Sequence, residues 1–251
     1  MDQEHEFESR LSHIETNWAK LLQSQSGGSE DARQAQKEVL QRYNRAIFRY
    51  LLKGAGDMDV AEELFQEFAL RFIRGDFDTA TPERGRFRHF LKRSLGNLLI
   101  DHHRKKQRQL APLSAEHLEL AEERSDVEGA DVAFTQSCRD ELLHRTWKAL
   151  AACDKLDETA FHEVLRVRTD NPDVHSPELA IIVSQRLGKT VTAEWVRNRL
   201  HFARKKFTEL LLAEIEKTLA TPNQDDLEHE VIDLGLLDYC LAALNERRAG
   251  R

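Results

Sequence analysis

Apolar positions recur along most of the chain at three- and four-residue intervals, the repeat of a helix buried on one face. No stretch alternates residue by residue as a half-buried strand would. Phe7, Leu11, Ile14, Trp18 and Leu21/Leu22 outline a first amphipathic helix, which ends before SQSGGSE. Val39, Leu40, Tyr43, Ile47, Tyr50 and Leu51 outline a second, stopped by the turn KGAGD. Ala61 to Ile73 gives a third, with Leu64, Phe68 and Phe72 on one face. RGDFDTATPERG then reads as a loop, broken by Pro82 and its glycines. A fourth helix carries Phe87, Phe90/Leu91, Leu95, Leu98/Leu99 and His102 toward a core.

The repeat fails between Leu110 and Asp131, where acidic residues, Pro112 and Gly129 describe a linker. It resumes over Ala133–Ala152, Asp157–Arg168, Pro177–Leu187 and Thr192–Leu219. A last segment runs from Leu227 to Leu244 with Val231, Leu234, Leu237 and Leu241 at helical spacing. The expected fold class is all-α, with two helical domains joined by an acidic linker. The expected organisation is a helical extension over 1–28, a domain over 29–109, the linker over 110–132, a second domain over 133–220 and a helical tail over 221–251.

Charge adds something the periodicity does not contain. The chain has a formal net charge of −7, yet Arg84 to Arg108 holds nine Lys/Arg against one Asp, a net of +8. Arg186 to Lys206 holds seven against Glu194, a net of +6, which leaves −21 on everything else. An acidic body with two basic islands is steered by polyanions in a defined orientation. Each island lies on a helix with its own apolar stripe, which points to nucleic acid rather than to an ordinary solvated face. No run approaches the roughly 18 apolar residues that cross a bilayer, and MDQEHEFESR has no apolar signal core, so the cytoplasm is the expected location. Cys138, Cys153 and Cys240 fall into no metal-binding or paired spacing and read as reduced, packed thiols.

The clearest local motif is SPELAIIVSQRLGKTVTAEWVRNRLHFARKKF, Ser176 to Phe207. Ser176 suits an N-cap, Pro177 a first turn, and Gly188 a left-handed stop. Thr190 or Thr192 can cap a second helix with Val196, Leu200, Ala203 and Phe207 on its core face. Its other face offers Arg197, Asn198, Arg199, His201, Arg204 and Lys205, side chains that bond to base edges and neutralise phosphates. The reading is a helix-turn-helix; the alternative is a helical hairpin with a solvated basic face.

This segment resembles the C-terminal, region-four domain of extracytoplasmic-function (group IV) sigma factors, through Ser184, Leu187-Gly188 and WVRNRLHFAR. KTVTAEW is two residues longer than the family's usual turn, which leaves the register of the recognition helix open. DMDVAEELFQEFALRF resembles the family's region-two signature. The resemblance implies that Glu63, Leu64, Gln66, Glu67 and Phe68 dock on the clamp helices of the largest subunit of core RNA polymerase. FRHFLKRSLGNLLIDHHRKKQR resembles the region-two helix that, with its preceding loop, melts and holds the downstream promoter element. The implied DNA contacts are Arg86, Arg88, Lys92, Arg93, Asn97, Arg104, Lys105 and Arg108, with Phe77 stacking on an exposed base. Asp101 reads as structural, four residues from Asn97. ETNWAKLL before SGGSEDARQ resembles one planctomycete-type group of the family. Core RNA polymerase and promoter DNA are the implied partners, an anti-sigma factor is a further one, and no cofactor is implied.

Asp101-His102-His103 also spells the motif of DHH phosphoesterases, but that fold needs strands and further Asp/His ligands. LGKT resembles a phosphate-binding loop without the required glycine at Val183. Neither supports catalysis, so a non-enzymatic role is expected. The remaining alternative is a conventional helix-turn-helix repressor or activator; it would explain Ser176–Phe207 but not the basic helix of the other half.

Overall fold

The protein is described from a computed structural model covering residues 6–7, 9–11, 30–74, 87–110, 122–157, 159–219 and 223–249. Among these residues all regular structure is helical. The helices are α1 (Glu30–Ala55), α2 (Met58–Arg74), α3 (Phe87–Leu110), α4 (Glu122–Asp157), α5 (Phe161–Asp170), α6 (Ser176–Leu187), α7 (Ala193–Glu216), α8 (Gln224–Asp233) and α9 (Leu237–Ala249). Residues group into two compact units, Met1–Arg139 and Asp140–Arg251.

In the first unit α1 packs on α2 and α3. The apolar repeat supplies the reason: Leu40, Ile47, Phe48, Leu51, Ala61, Phe65, Leu91, Leu95 and Leu99 are all excluded from solvent. Gly56, in the left-handed region at φ +70°, lets the chain leave α1, and Asp57 caps α2 by accepting from the backbone N–H of Val60 at 3.0 Å. Phe7 and Leu11 are buried in the same unit, with the Phe7 ring 5.1 Å from that of Phe48. The loop expected over 75–86 lies outside the described residues.

The irregular linker expected as far as 132 is helical from Glu122. Its later part is not a tether. Ala130 and Phe134 are fully buried in the first unit, and the Phe134 ring meets Tyr50 edge-on at 5.9 Å. The Asp131 carboxylate pairs with Lys92 at 2.6 Å and accepts from the Tyr50 hydroxyl, whose pKa is raised by burial first and by Asp131 second. Apolar contacts at Ala130 and Phe134 thus outweigh the acidic, glycine-interrupted composition of this stretch.

In the second unit α5, α6 and α7 pack mutually around Leu150, Val164, Val167, Leu179, Val183, Val196, Leu200 and Ala203. The start expected for α5 at Asp157 moves to Phe161, because the carboxylate of Asp154 reaches across and accepts from the backbone N–H groups of Phe161 at 2.8 Å and His162 at 2.7 Å. The tail expected as one helix from Leu227 to Leu244 is two. Gly235, at φ +65°, breaks it, and Asn223 caps the first half. Leu236 and Cys240 are buried while Leu241, expected on the core stripe, is exposed.

Candidate functional site

Three surfaces matter, each set by a different helix. On α2 the apolar repeat places Leu64 and Phe68 inward; both are buried in the core, so neither is a surface contact as the resemblance implied. Glu63 and Gln66 are exposed, and Glu67 is half-buried and paired with Arg71 one turn on. Gln66 donates to Glu62 at 3.4 Å. Beside this face, Arg10 reaches Asp59 at 2.8 Å and Glu62 at 2.7 Å, while Phe7 lies under the guanidinium groups of Arg45 and Arg49. Nothing in the local repeat of α2 announces this partner segment.

On α3 the spacing that buries Leu91, Leu95 and Leu99 puts Arg93, Asn97, Asp101, Arg104 and Lys105 on one exposed stripe. Lys92 is half-buried and held by Asp131. Arg88, expected among the DNA contacts, is only 4% exposed and does not present its charge to solvent. Its position explains this, since 88 precedes Leu91 by three residues and Leu95 by seven and so falls on the core stripe. Phe77 and Arg86 lie outside the described residues, as does the side chain of Arg108, which is on the last turn of α3. His102, expected on the apolar face, is half-buried; burial, followed by the neighbouring His103, lowers its pKa. His103 Nε2 lies 3.3 Å from the carbonyl of Gly54.

The third surface is built by α6, a short turn and α7. The cap lies one residue earlier than expected: His175 is the N-cap, Ser176 is already helical, and no side chain caps α6. Gly188 closes α6 in the left-handed conformation at φ +65°. Ser184 ties the turn down, donating to Ala180 O at 2.6 Å and accepting from Val191 N–H at 3.0 Å. Of the two threonines, Thr192 caps α7, accepting from Trp195 N–H at 3.1 Å. Upstream, Arg168 donates to the carbonyls of Asn171, Pro172 and Val174, the last at 2.7 Å, and so fixes the α5–α6 connection.

With α7 oriented in this way, Arg197, Asn198, His201, Arg204 and Lys205 are exposed together. Arg199 differs. Its guanidinium stacks 5.2 Å from Trp195 and 5.8 Å from Phe161, so its charge is engaged in holding α7 against α5. The four-residue step from Trp195 to Arg199 is the sequence signal for that pairing. Lys189 lies over the same indole at 5.6 Å. Lys205 pairs with Glu246 of α9 at 2.8 Å.

What this arrangement can do is bind charge and shape. Among the described residues no group of His, Cys, Asp and Glu has the layout of a metal site. Among them also, no helix is long and apolar enough to cross a membrane. Neither a search of curated proteins nor one of solved structures returned a match. Residues 39–109, which span α2, the α3 stripe and most of α1, match the family model for Sigma-70 region 2. The chain therefore carries a Sigma-70 region 2 domain, and that domain supports a sigma-70 family sigma factor acting with core RNA polymerase and promoter DNA in promoter recognition and transcription initiation.

Proposed function

We propose that this chain is an extracytoplasmic-function sigma factor that directs core RNA polymerase to a subset of promoters and helps open the downstream element. The observation that carries the reading is the Sigma-70 region 2 match over 39–109, which contains both a helix with exposed Glu63 and Gln66 and a helix with an exposed cationic stripe. Carboxylate and amide groups around a buried apolar ridge suit a basic partner helix. The α3 stripe of Arg93, Arg104 and Lys105, with Asn97, suits the backbone of an opened strand.

In this reading the second unit reads the upstream element as duplex. Arg197, Asn198, His201 and Arg204 of α7 reach base edges and phosphates, Lys205 adds a phosphate contact, and α6 crosses the backbone. Arg199 serves as a positioning residue through its stack on Trp195 and Phe161. The protein acts by binding, without catalysis of its own, and works in the cytoplasm where polymerase is. A stand-alone repressor accounts for α6 and α7 but leaves the region 2 match without a role.

The test is association with purified core polymerase in gel filtration, followed across ionic strength. Co-elution that weakens with Glu63→Lys and Gln66→Lys supports the docking surface. Separate elution of the intact chain at every salt concentration overturns the proposal.

A further inference from the structure

The line of α7 residues that holds Arg197, His201 and Lys205 continues past its exposed part. Its spacing, Arg197, His201, Lys205, Thr208, continues by steps of four and three to Leu212 and Ile215, which are completely buried. Both α8 and α9 pack on α7. On them and the turn between them Leu227, Val231, Leu234, Leu236, Cys240 and Leu244 are buried. The hairpin is therefore seated on the same side of α7 that presents Arg197 and His201, directly beyond them. An ion pair of Arg247 with Glu216 at 2.5 Å fastens the last turn of α9 there, and Arg248 pairs with Glu228 of α8 within the hairpin. The residue preceding those two arginines is Glu246, and its carboxylate holds the Lys205 ammonium at 2.8 Å.

We infer that the C-terminal hairpin is an internal competitor for duplex DNA, in which Glu246 stands where a backbone phosphate would otherwise meet Lys205. The inference rests on α7 being a duplex-binding helix, as proposed above. A phosphate reaching Lys205 must displace a carboxylate that the helix end holds in place, so one cation's share of DNA affinity is cancelled in advance. Arg197, Asn198, His201 and Arg204 stay exposed, so the hairpin lowers affinity without closing the reading face. The pair is itself surface-exposed, 48% at Lys205 and 61% at Glu246, so salt and phosphate both have access to it.

Removing the hairpin would uncover Leu212 and Ile215, so the test uses point variants of the full chain. Binding of a mixed-sequence duplex of about 30 base pairs is followed by fluorescence anisotropy as salt is raised, because a phosphate contact needs no particular sequence. Glu246→Gln should tighten binding about two- to fivefold at low salt and steepen the log–log salt slope by about 0.9, one added phosphate contact. In a Lys205→Gln background the same change should have no effect. Asp238→Asn, an equal charge change on the exposed side of α9, should leave binding as it is. Equal affinity and slope for Glu246→Gln and the parent chain would overturn the inference while the parent still binds duplex. So would equal tightening in the Lys205→Gln background. Failure of the parent and every variant to bind duplex at any salt concentration would remove the duplex-reading proposal, and this inference with it.

Discussion

Asp154 shows how much one side chain can decide. It sits near the end of α4, yet its two oxygens accept from Phe161 N–H, His162 N–H and the Thr159 hydroxyl, the last at 2.6 Å. The two backbone N–H groups are orphan donors at the start of α5, and Ala160 before them adopts a left-handed conformation at φ +58°. Asp154→Ala should therefore cost about 1–3 kcal/mol of stability, read from urea unfolding, a larger loss than a typical surface substitution gives. Cys240 provides a second residue-level test. Burial, partly opposed by Arg247, pushes its thiol from 9.0 up to about 11. A thiol that stays protonated longer when folded stabilises the fold fully below pH 9 and loses that contribution as pH rises toward 11. Between those values the unfolding midpoint should fall more steeply for the parent chain than for Cys240→Ala; parallel decline would contradict the assignment.

At the scale of elements, the contact between α1 and α3 is unusually close. A Cβ added at Gly54 would lie 2.3 Å from Leu99 Cδ1, and Leu99 is itself buried. Gly54→Ala should destabilise the first unit by about 1–3 kcal/mol, measured by thermal or urea unfolding, because Leu99 has to leave its rotamer. On α2, surface and core separate cleanly. Glu63→Lys and Gln66→Lys should weaken polymerase association while leaving the unfolding midpoint nearly unchanged. Leu64→Ala should instead cost about 2–5 kcal/mol of stability as a buried large-to-small change. These helices were legible from the apolar repeat, and so was the exposed stripe of α3. Three features were not. Arg88 is a charged residue on a core stripe; Asp131 is an acidic residue in a linker-like stretch that docks on Lys92 and Tyr50; and Arg199 lends its charge to two aromatic rings. Asp131 and the Arg199–Phe161 contact are long-range partnerships that composition cannot register, whereas the core position of Arg88 and the Trp195–Arg199 step carry a helical-spacing signal that the charge pattern masks. The broken tail is a separate case: the 227–244 spacing fits one helix by coincidence, and Gly235 decides against it.

At the scale of the whole molecule, the sequence contained two basic islands on an acidic background, and the structure places exposed cations of each on one helix surface, α3 in the first unit and α7 in the second. The match to Sigma-70 region 2 covers the first island's helix and the polymerase-docking candidate together. In the proposed function the chain gives core RNA polymerase a choice of start sites that the core alone does not have. This role is tested most directly by transcription from a genomic DNA library with purified core polymerase, with and without this protein, and with the 5′ ends of the transcripts mapped. A set of discrete start sites, sharing upstream and downstream elements, should appear only when the protein is present. The same scattered initiation in both reactions would contradict this role.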